Sequence, residues 1–372
     1  MSRPTDIIVV GAGIVGCAIA YELSRRGASV QIVEERTAGM GATQAAAGIL
    51  APYVEGTSSP EFLSLLVRGL GVFDDFIARV QADGALTAHY RRTGTLQVAV
   101  TDEGMHELGT TAARLDVQGV VSRLLDAESV RVEEPCLSRD VVGALVVPTH
   151  GFVAAGELIR AVAAAARCQG AQVIEGRRVH RITPAGAGLV VETDRGPLAG
   201  SAVVLAAGSW SGQIELAGVT CAVPVGPIRG QLLRLAWNGP ALRRVIWSER
   251  CYVVPWEDGT LLVGATVEDA GFDERTTVAG VRGLIEAVCE ILPEARTAAF
   301  LGAHAGLRPA SADLHPIIGA SKVIRNLMYA TAHYRNGILL APLTAALVAD
   351  AMLDNRIDPA LATVSPQRFG EL

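Results

Sequence analysis

The chain has 372 residues, half of them hydrophobic and 40 of them glycine, with a formal net charge of −6. That length exceeds one ordinary core and predicts one large or two interleaved globular domains rather than a disordered chain. Lys322 is the single lysine among 32 basic residues. An acidic, lysine-poor surface argues against nucleic acid as a partner.

Six cysteines, at 17, 136, 168, 221, 251 and 289, form no CxxC pair, so neither a disulfide framework nor a metal site is expected. The apolar opening "IIVVGAGIVGCAIA" follows Asp6 and carries three glycines. It lacks a basic flank and a small-residue cleavage site, which makes it a poor signal peptide. No unbroken apolar run reaches ~18 residues, so no membrane span is expected and a cytoplasmic location is the default.

In chain order, the first element is a β-branched run, Ile7 to Val10, leading into Gly11-x-Gly13-x-x-Gly16. A helical pattern starts at Ile14 and Val15 and runs to Arg26, and a second strand, Ser29 to Val33, ends at Glu34. Strand, glycine turn, helix and strand with an acid about twenty residues on form a dinucleotide fingerprint. The glycines permit a tight turn, close approach to a pyrophosphate and close helix packing, and the helix N-terminus favours the phosphates. Glu34 is positioned to accept from ribose hydroxyls. The motif by itself leaves NAD and FAD both open.

The stretch "GMGATQAAAGILAP" (39–52) is rich in small residues, with Thr43 and Gln44 inside it; such backbone can approach a planar ligand closely. Helices are predicted at 60–81 and 156–169, and a strand at 94–100. "SAVVLAAGSWSG" (201–212) reads as a buried strand ending in Ala206-Ala207-Gly208, suited to closing on the same nucleotide. Strand patterns follow at 230–237 and 251–267, the latter turning at Glu257-Asp258-Gly259, and then a helix over about 278–291.

In "SERCYVVP" (248–255), alternation predicts that Arg250, Tyr252 and Val254 share one face, with Cys251 and Val253 on the other. Arg308, in "GLRP", precedes a proline and is biased to extended backbone. Arg335-Asn336-Gly337 precedes a long helical pattern, whose N-terminus would carry positive potential. His304, His315 and His333 read as structural, and no set of residues offers itself as a nucleophile or general base.

The Rossmann start, "AAAGIL", "VVLAAGSWS", "GLRP" (306–309) and "HYRNGILLAP" (333–342) occur in this order. Together they resemble the D-amino-acid oxidase and sarcosine oxidase superfamily, most of all glycine oxidase, over nearly the whole chain. The resemblance implies an α/β (α+β) two-domain fold, with a discontinuous Rossmann-type FAD domain of residues 1–88, 148–222 and 303–372. Residues 89–147 and 223–302 would form an antiparallel-sheet substrate domain. It further implies FAD contacts at Gly11, Gly13, Ile14, Val15, Gly16, Glu34, Glu35, Ala42, Thr43, Gln44, Ala47, Gly48 and Ile49. Later in the chain the implied contacts are Val179, Ala207, Gly208, Trp210, His333, Arg335, Asn336, Gly337, Ile338 and Leu339. No cysteine follows Cys289, where sarcosine oxidases tether their flavin, so the FAD is expected to be non-covalent.

On the substrate side the resemblance implies that Arg308 forms a bidentate pair with a substrate carboxylate. Tyr252 would bond the same group, with Arg335 close to flavin and substrate. The implied reaction is oxidation of a C–N bond by hydride transfer to the flavin, giving an imine that hydrolyses, with O2 reduced to H2O2. Arg250 and Val267 stand where histidine or neutral residues and a bulkier methionine are usual. An added cation and a freed volume together suggest an N-substituted glycine carrying a second carboxylate, although Arg250 could instead pair with Glu249 or Glu268. Plain glycine oxidation, as in thiamine biosynthesis, remains the alternative, as does a D-amino-acid or sarcosine dehydrogenase with another electron acceptor. The expected partners are a small amino acid substrate and O2, with a homo-oligomer left open.

Overall fold

The computed structural model describes residues 6–55 and 59–372. Its organising element is a six-stranded sheet in the order Ile317–Ala320, Leu327–Thr331, Ala202–Leu205, Ile7–Val10, Val30–Val33, Gln172–Ile174. Every neighbouring pair is parallel except the first. All four residues of Ile7–Val10 are buried, as the unbroken apolar run requires of a strand covered on both faces.

The helix Ile14–Arg25 leaves this strand through the glycine turn and is buried from Ile14 to Ser24. It packs between the helices Ala155–Cys168 and Gly337–Leu353 in the largest core cluster. The helix expected at 60–81 is two helices, Pro60–Gly71 and Phe73–Gly84, broken at Val72. Gly69 and Gly71 weaken the end of the first, and Asp74 and Asp75 suit the positive start of the second.

The second layer is an eight-stranded sheet, ordered Ala299–Ala310, Gly226–Ala236, Thr260–Gly264, Tyr252–Pro255, Val245–Trp247, Thr95–Ala99, Gly143–Val147, Arg123–Asp126. The helix Val278–Ile291 buries Leu284, Val288 and Ile291 against one face, beside Cys251 and Val253. The other face carries Val254 and Leu262, packed with Phe152 and Tyr252 towards the nucleotide half. The predicted alternation along this strand is therefore present from Cys251 to Val254.

One boundary differs from expectation. The strand Ala299–Ala310 runs unbroken across the division placed between 302 and 303, paired along its length with Gly226–Ala236. Arg308 therefore belongs to the eight-stranded sheet and not to the nucleotide half. The strands Val179–Ala185, Gly188–Thr193, Leu198–Gly200 and Glu215–Leu216 also build a four-stranded sheet, for which the sequence reading carries no expectation. Among the described residues no helix is long and apolar enough to cross a membrane.

Candidate active site

A cavity of about 320 Å³ lies between the two sheets and runs from the glycine turn to Tyr252 and Arg308. At its nucleotide end Gly11 has φ +103°, and a Cβ there would come within 2.5 Å of the Ala206 carbonyl oxygen. The turn and the end of the strand Ala202–Leu205 thus approach as only glycine allows. Gly16 faces inward, where a Cβ would meet the Gly11 carbonyl at 2.0 Å. Its part is helix packing, and it does not line the cavity.

Glu34 sits at the end of its strand, accepting the Ala12 N–H and the Arg36 N–H, each at 2.8 Å. The Thr43 hydroxyl accepts the Ile14 N–H at 3.1 Å, tying the small-residue stretch to the first turn of the helix. Other N–H groups of that turn have no partner within the helix and are available to an anion. A side-chain-free turn, free helix donors and a carboxylate at the next strand end fit the pyrophosphate and ribose of a dinucleotide.

Most of the expected nucleotide residues line this space: Gly11, Gly13, Ile14, Val15, Glu34, Glu35, Ala42, Thr43, Ala47, Gly48, Ile49, Val179, Ala207, Gly208, Trp210, His333, Arg335, Gly337 and Ile338. Gly16, Gln44, Asn336 and Leu339 do not. Asn336 and Leu339 are buried, Asn336 as the residue before the helix Gly337–Leu353. Gln44 bonds the Met40 carbonyl and points outward. The Ser209 hydroxyl bonds the Leu307 carbonyl at 2.9 Å and Ser211 bonds Thr331 at 2.7 Å. These two bonds hold the Ala207–Gly208 corner against the strands that lead to Arg308 and His333.

At the far end, the phenol of Tyr252 and the guanidinium of Arg308 both face the cavity. Arg308 Nη1 donates to the carbonyls of Thr266 at 3.0 Å and Arg229 at 3.4 Å. Among the described residues no carboxylate pairs with it. Trp247 lies beside Tyr252, ring centroids 5.3 Å apart. His333 is buried and bonds Thr344 at 3.0 Å, and burial pushes its pKa down to about 3. It is therefore a neutral ring and no acid. Arg335 is exposed, over the Tyr334 ring at 5.4 Å, at the start of the long helix.

Two substrate-side expectations change. Arg250 is not on the strand face with Tyr252, because Ser248 and Cys251 close a tight turn, Ser248 N–H to the Cys251 carbonyl at 2.8 Å. Arg250 stands at the corner of this turn, on the cavity's rim, half exposed and paired with Glu290 rather than with Glu249 or Glu268. Val267 is 54% exposed and lies outside the cavity wall, where Ala265 stands instead.

Arg36, Trp247 and Ala265 line the cavity without having been singled out. Glycines signalled the geometry. A Cβ on Gly230 would lie 2.2 Å from Arg308 Nη2, and one on Gly264 would lie 2.4 Å from Tyr252 Oη. Gly230 lies inside its strand and Gly264 ends its own, and an unexplained glycine in a strand points to close approach by another group.

A largely parallel sheet with this glycine turn, joined to a largely antiparallel sheet, with Val245–Trp247 parallel to Thr95–Ala99, that presents a cation to the same cavity, suits a two-domain nucleotide-dependent oxidoreductase. The family model DAO, FAD dependent oxidoreductase, matches residues 6–351. The chain belongs to this family, and FAD is the nucleotide its glycine turn serves. It is 31% identical to glycine oxidase of Geobacillus kaustophilus over 94% of this chain and 93% of the relative. The crystal structure of glycine oxidase from that organism superposes with a TM-score of 0.93 at 31% identity, covering 99% of each chain. The bifunctional protein ThiO/ThiG of Synechocystis is 32% identical over 99% of this chain, which spans only 55% of that relative's length. The structure of iminodiacetate oxidase from Chelativorans sp. BNC1 matches with a TM-score of 0.88 at 27% identity, covering 97% of this chain and 98% of that one.

Proposed function

We propose that the chain is an amino acid oxidase that acts on glycine and, more readily, on an N-substituted glycine, releasing glyoxylate and an amine. The observation that carries this reading is Arg308, a half-buried guanidinium facing the cavity whose partners among the described residues are carbonyl oxygens. A fixed cation in such a place calls for an anion, and its planar fork matches a carboxylate. Tyr252 adds a hydroxyl to the same group.

FAD, held non-covalently by the glycine turn, Glu34 and the small-residue stretch at 42–49, would supply the two-electron acceptor for the α-carbon hydride, with O2 as final acceptor giving H2O2. The chain's own residues hold the substrate by its carboxylate, so that the α-C–H is aimed and the nitrogen lone pair is free. His333, neutral and buried, neither takes nor gives the amine proton; the substrate must enter as the neutral amine. The imine formed takes up water to give the carbonyl product. The N-terminus of the helix Gly337–Leu353 contributes positive potential where negative charge grows.

The preference for an N-substituent rests on Ala265, a small wall residue, and on Arg250 at the rim. Arg250 already pairs with Glu290, both about half exposed. Such a pair contributes only ~0–1 kcal/mol, so a distal substrate carboxylate can replace Glu290 at little cost. The glycine oxidase and iminodiacetate oxidase similarities are in keeping with this reading. The test is peroxide production from glycine, sarcosine and iminodiacetate, with Arg250→Ala alongside. We expect iminodiacetate to have the highest kcat/KM and to lose about tenfold in Arg250→Ala, as loss of a charged contact predicts. Glycine faster than both others by tenfold or more would reduce the function to plain glycine oxidation.

A further inference from the structure

Arg308 lies on the edge strand opposite Ile228, and its guanidinium reaches across Gly230 to two carbonyls, those of Thr266 and Arg229. These carbonyls fix the height and tilt at which the fork meets a substrate. The segment that carries Thr266 has left the strand Thr260–Gly264. Beyond it, an isolated two-residue bridge joins Arg229 N–H to the Glu268 carbonyl at 2.9 Å and Glu268 N–H to the Arg229 carbonyl at 3.0 Å.

That bridge is locked by side chains. One oxygen of Glu268 accepts from Nε and Nη2 of Arg229, and the other accepts from Gln231 Nε2 at 2.7 Å and from the Thr266 hydroxyl. Arg229 is 6% exposed and also pairs with Asp273 at 3.0 Å. Its charge is consumed by these two carboxylates, which leaves Arg308 as the neighbouring cation that faces the cavity. Among the described residues, Glu268 is thus the one group that bonds the side chains of both residues whose carbonyls seat Arg308.

We propose that Glu268, acting through Arg229 and Thr266, is a positioning residue for Arg308 and sets the enzyme's affinity for the substrate carboxylate. Replacing its carboxylate releases the Arg229 and Thr266 side chains, loosens the segments that carry the two carbonyls and lets the guanidinium drift from its productive place. The inference rests on the reading of Arg308 given above.

The test compares FAD-loaded wild type, Glu268→Gln, Arg308→Ala and the double variant. Acetate binding is followed through the absorbance of the bound flavin, and glycine turnover through peroxide. In Glu268→Gln we expect the acetate Kd and the KM for glycine to rise about tenfold, with kcat falling less than about threefold, as loss of substrate positioning predicts. Flavin content and thermal midpoint in the same preparations report on folding. In the Arg308→Ala background, adding Glu268→Gln should lower kcat/KM no further, because a residue that acts only through Arg308 has nothing left to act on. An acetate Kd equal to wild type in Glu268→Gln, or losses that multiply in the double variant, overturns the inference alone. Wild type binding acetate no better than Arg308→Ala overturns the reading of Arg308 and the inference with it. Should Glu268→Gln fail to fold, Glu268→Asp and Arg229→Lys carry the same two comparisons.

Discussion

At Tyr252 the phenol lies over its cross-strand neighbour Gly264, just as the Arg308 guanidinium lies over Gly230. The two polar groups reach the cavity because each has a partner strand without a side chain at that point. If Tyr252 bonds the substrate carboxylate as proposed, Tyr252→Phe removes one hydrogen bond to a charged group, so KM for glycine should rise about tenfold or more with a smaller change in kcat. Gly230→Ala should produce a similar rise by displacing the Arg308 fork. Steady-state kinetics on the two variants checks both; a Gly230→Ala enzyme with an unchanged KM would show that the fork tolerates displacement. The resemblance singled out Tyr252 and Arg308, and the structure brings both to one cavity. Arg250 was misplaced because alternation was extended to a position two residues before the strand, inside a turn that Ser248 closes. Val267 was misplaced in the same way, beyond the end of the strand Thr260–Gly264.

Between elements, the connection after the strand Thr260–Gly264 has a second attachment. Glu274 forms a two-bond ion pair with Arg36, at 3.1 and 2.8 Å, and Phe272 packs against Trp210 at 5.9 Å. Arg36 lies over the same Trp210 ring at 4.8 Å, and Arg36 and Trp210 both line the nucleotide end of the cavity. The substrate-side sheet therefore clips the loops around the FAD site. Glu274→Ala should weaken FAD binding several-fold, roughly the ~1 kcal/mol that a partly exposed bidentate pair contributes. Flavin fluorescence on titration of the apoprotein measures it; an unchanged Kd would make the clip incidental. Pattern reading found the strands and helices on both sides of this connection, because their periodicity is local. It missed the clip, which pairs residues more than 200 positions apart.

Over the whole molecule, buried ionisable rings couple the fold to pH. His150 is fully buried, bonds Thr95 at 2.8 Å and stacks on Tyr53. Burial, with Arg92 nearby, pushes its pKa from 6.5 down to about 3. The unfolded chain therefore holds the proton more readily than the folded one. The stability that the neutral ring confers is complete above about pH 6.5 and declines as pH falls towards 3. His333 acts in the same direction. The thermal midpoint of His150→Gln should accordingly fall less between pH 7 and pH 4 than that of wild type; parallel curves would show that His150 is not a source of acid sensitivity.

The nucleotide turn, the strand and helix types and the order of the family motifs were determined by sequence alone. Each rests on residues close together in the chain, where glycine conformation, apolar periodicity and chain direction suffice. Only the tertiary structure decided that Arg308 stands on the eight-stranded sheet, that Glu290 takes Arg250, and that Glu268 locks Arg229 beside Arg308. Those are choices among many possible partners for each charge. They are settled by which strands pair and where they end, and no local pattern encodes that.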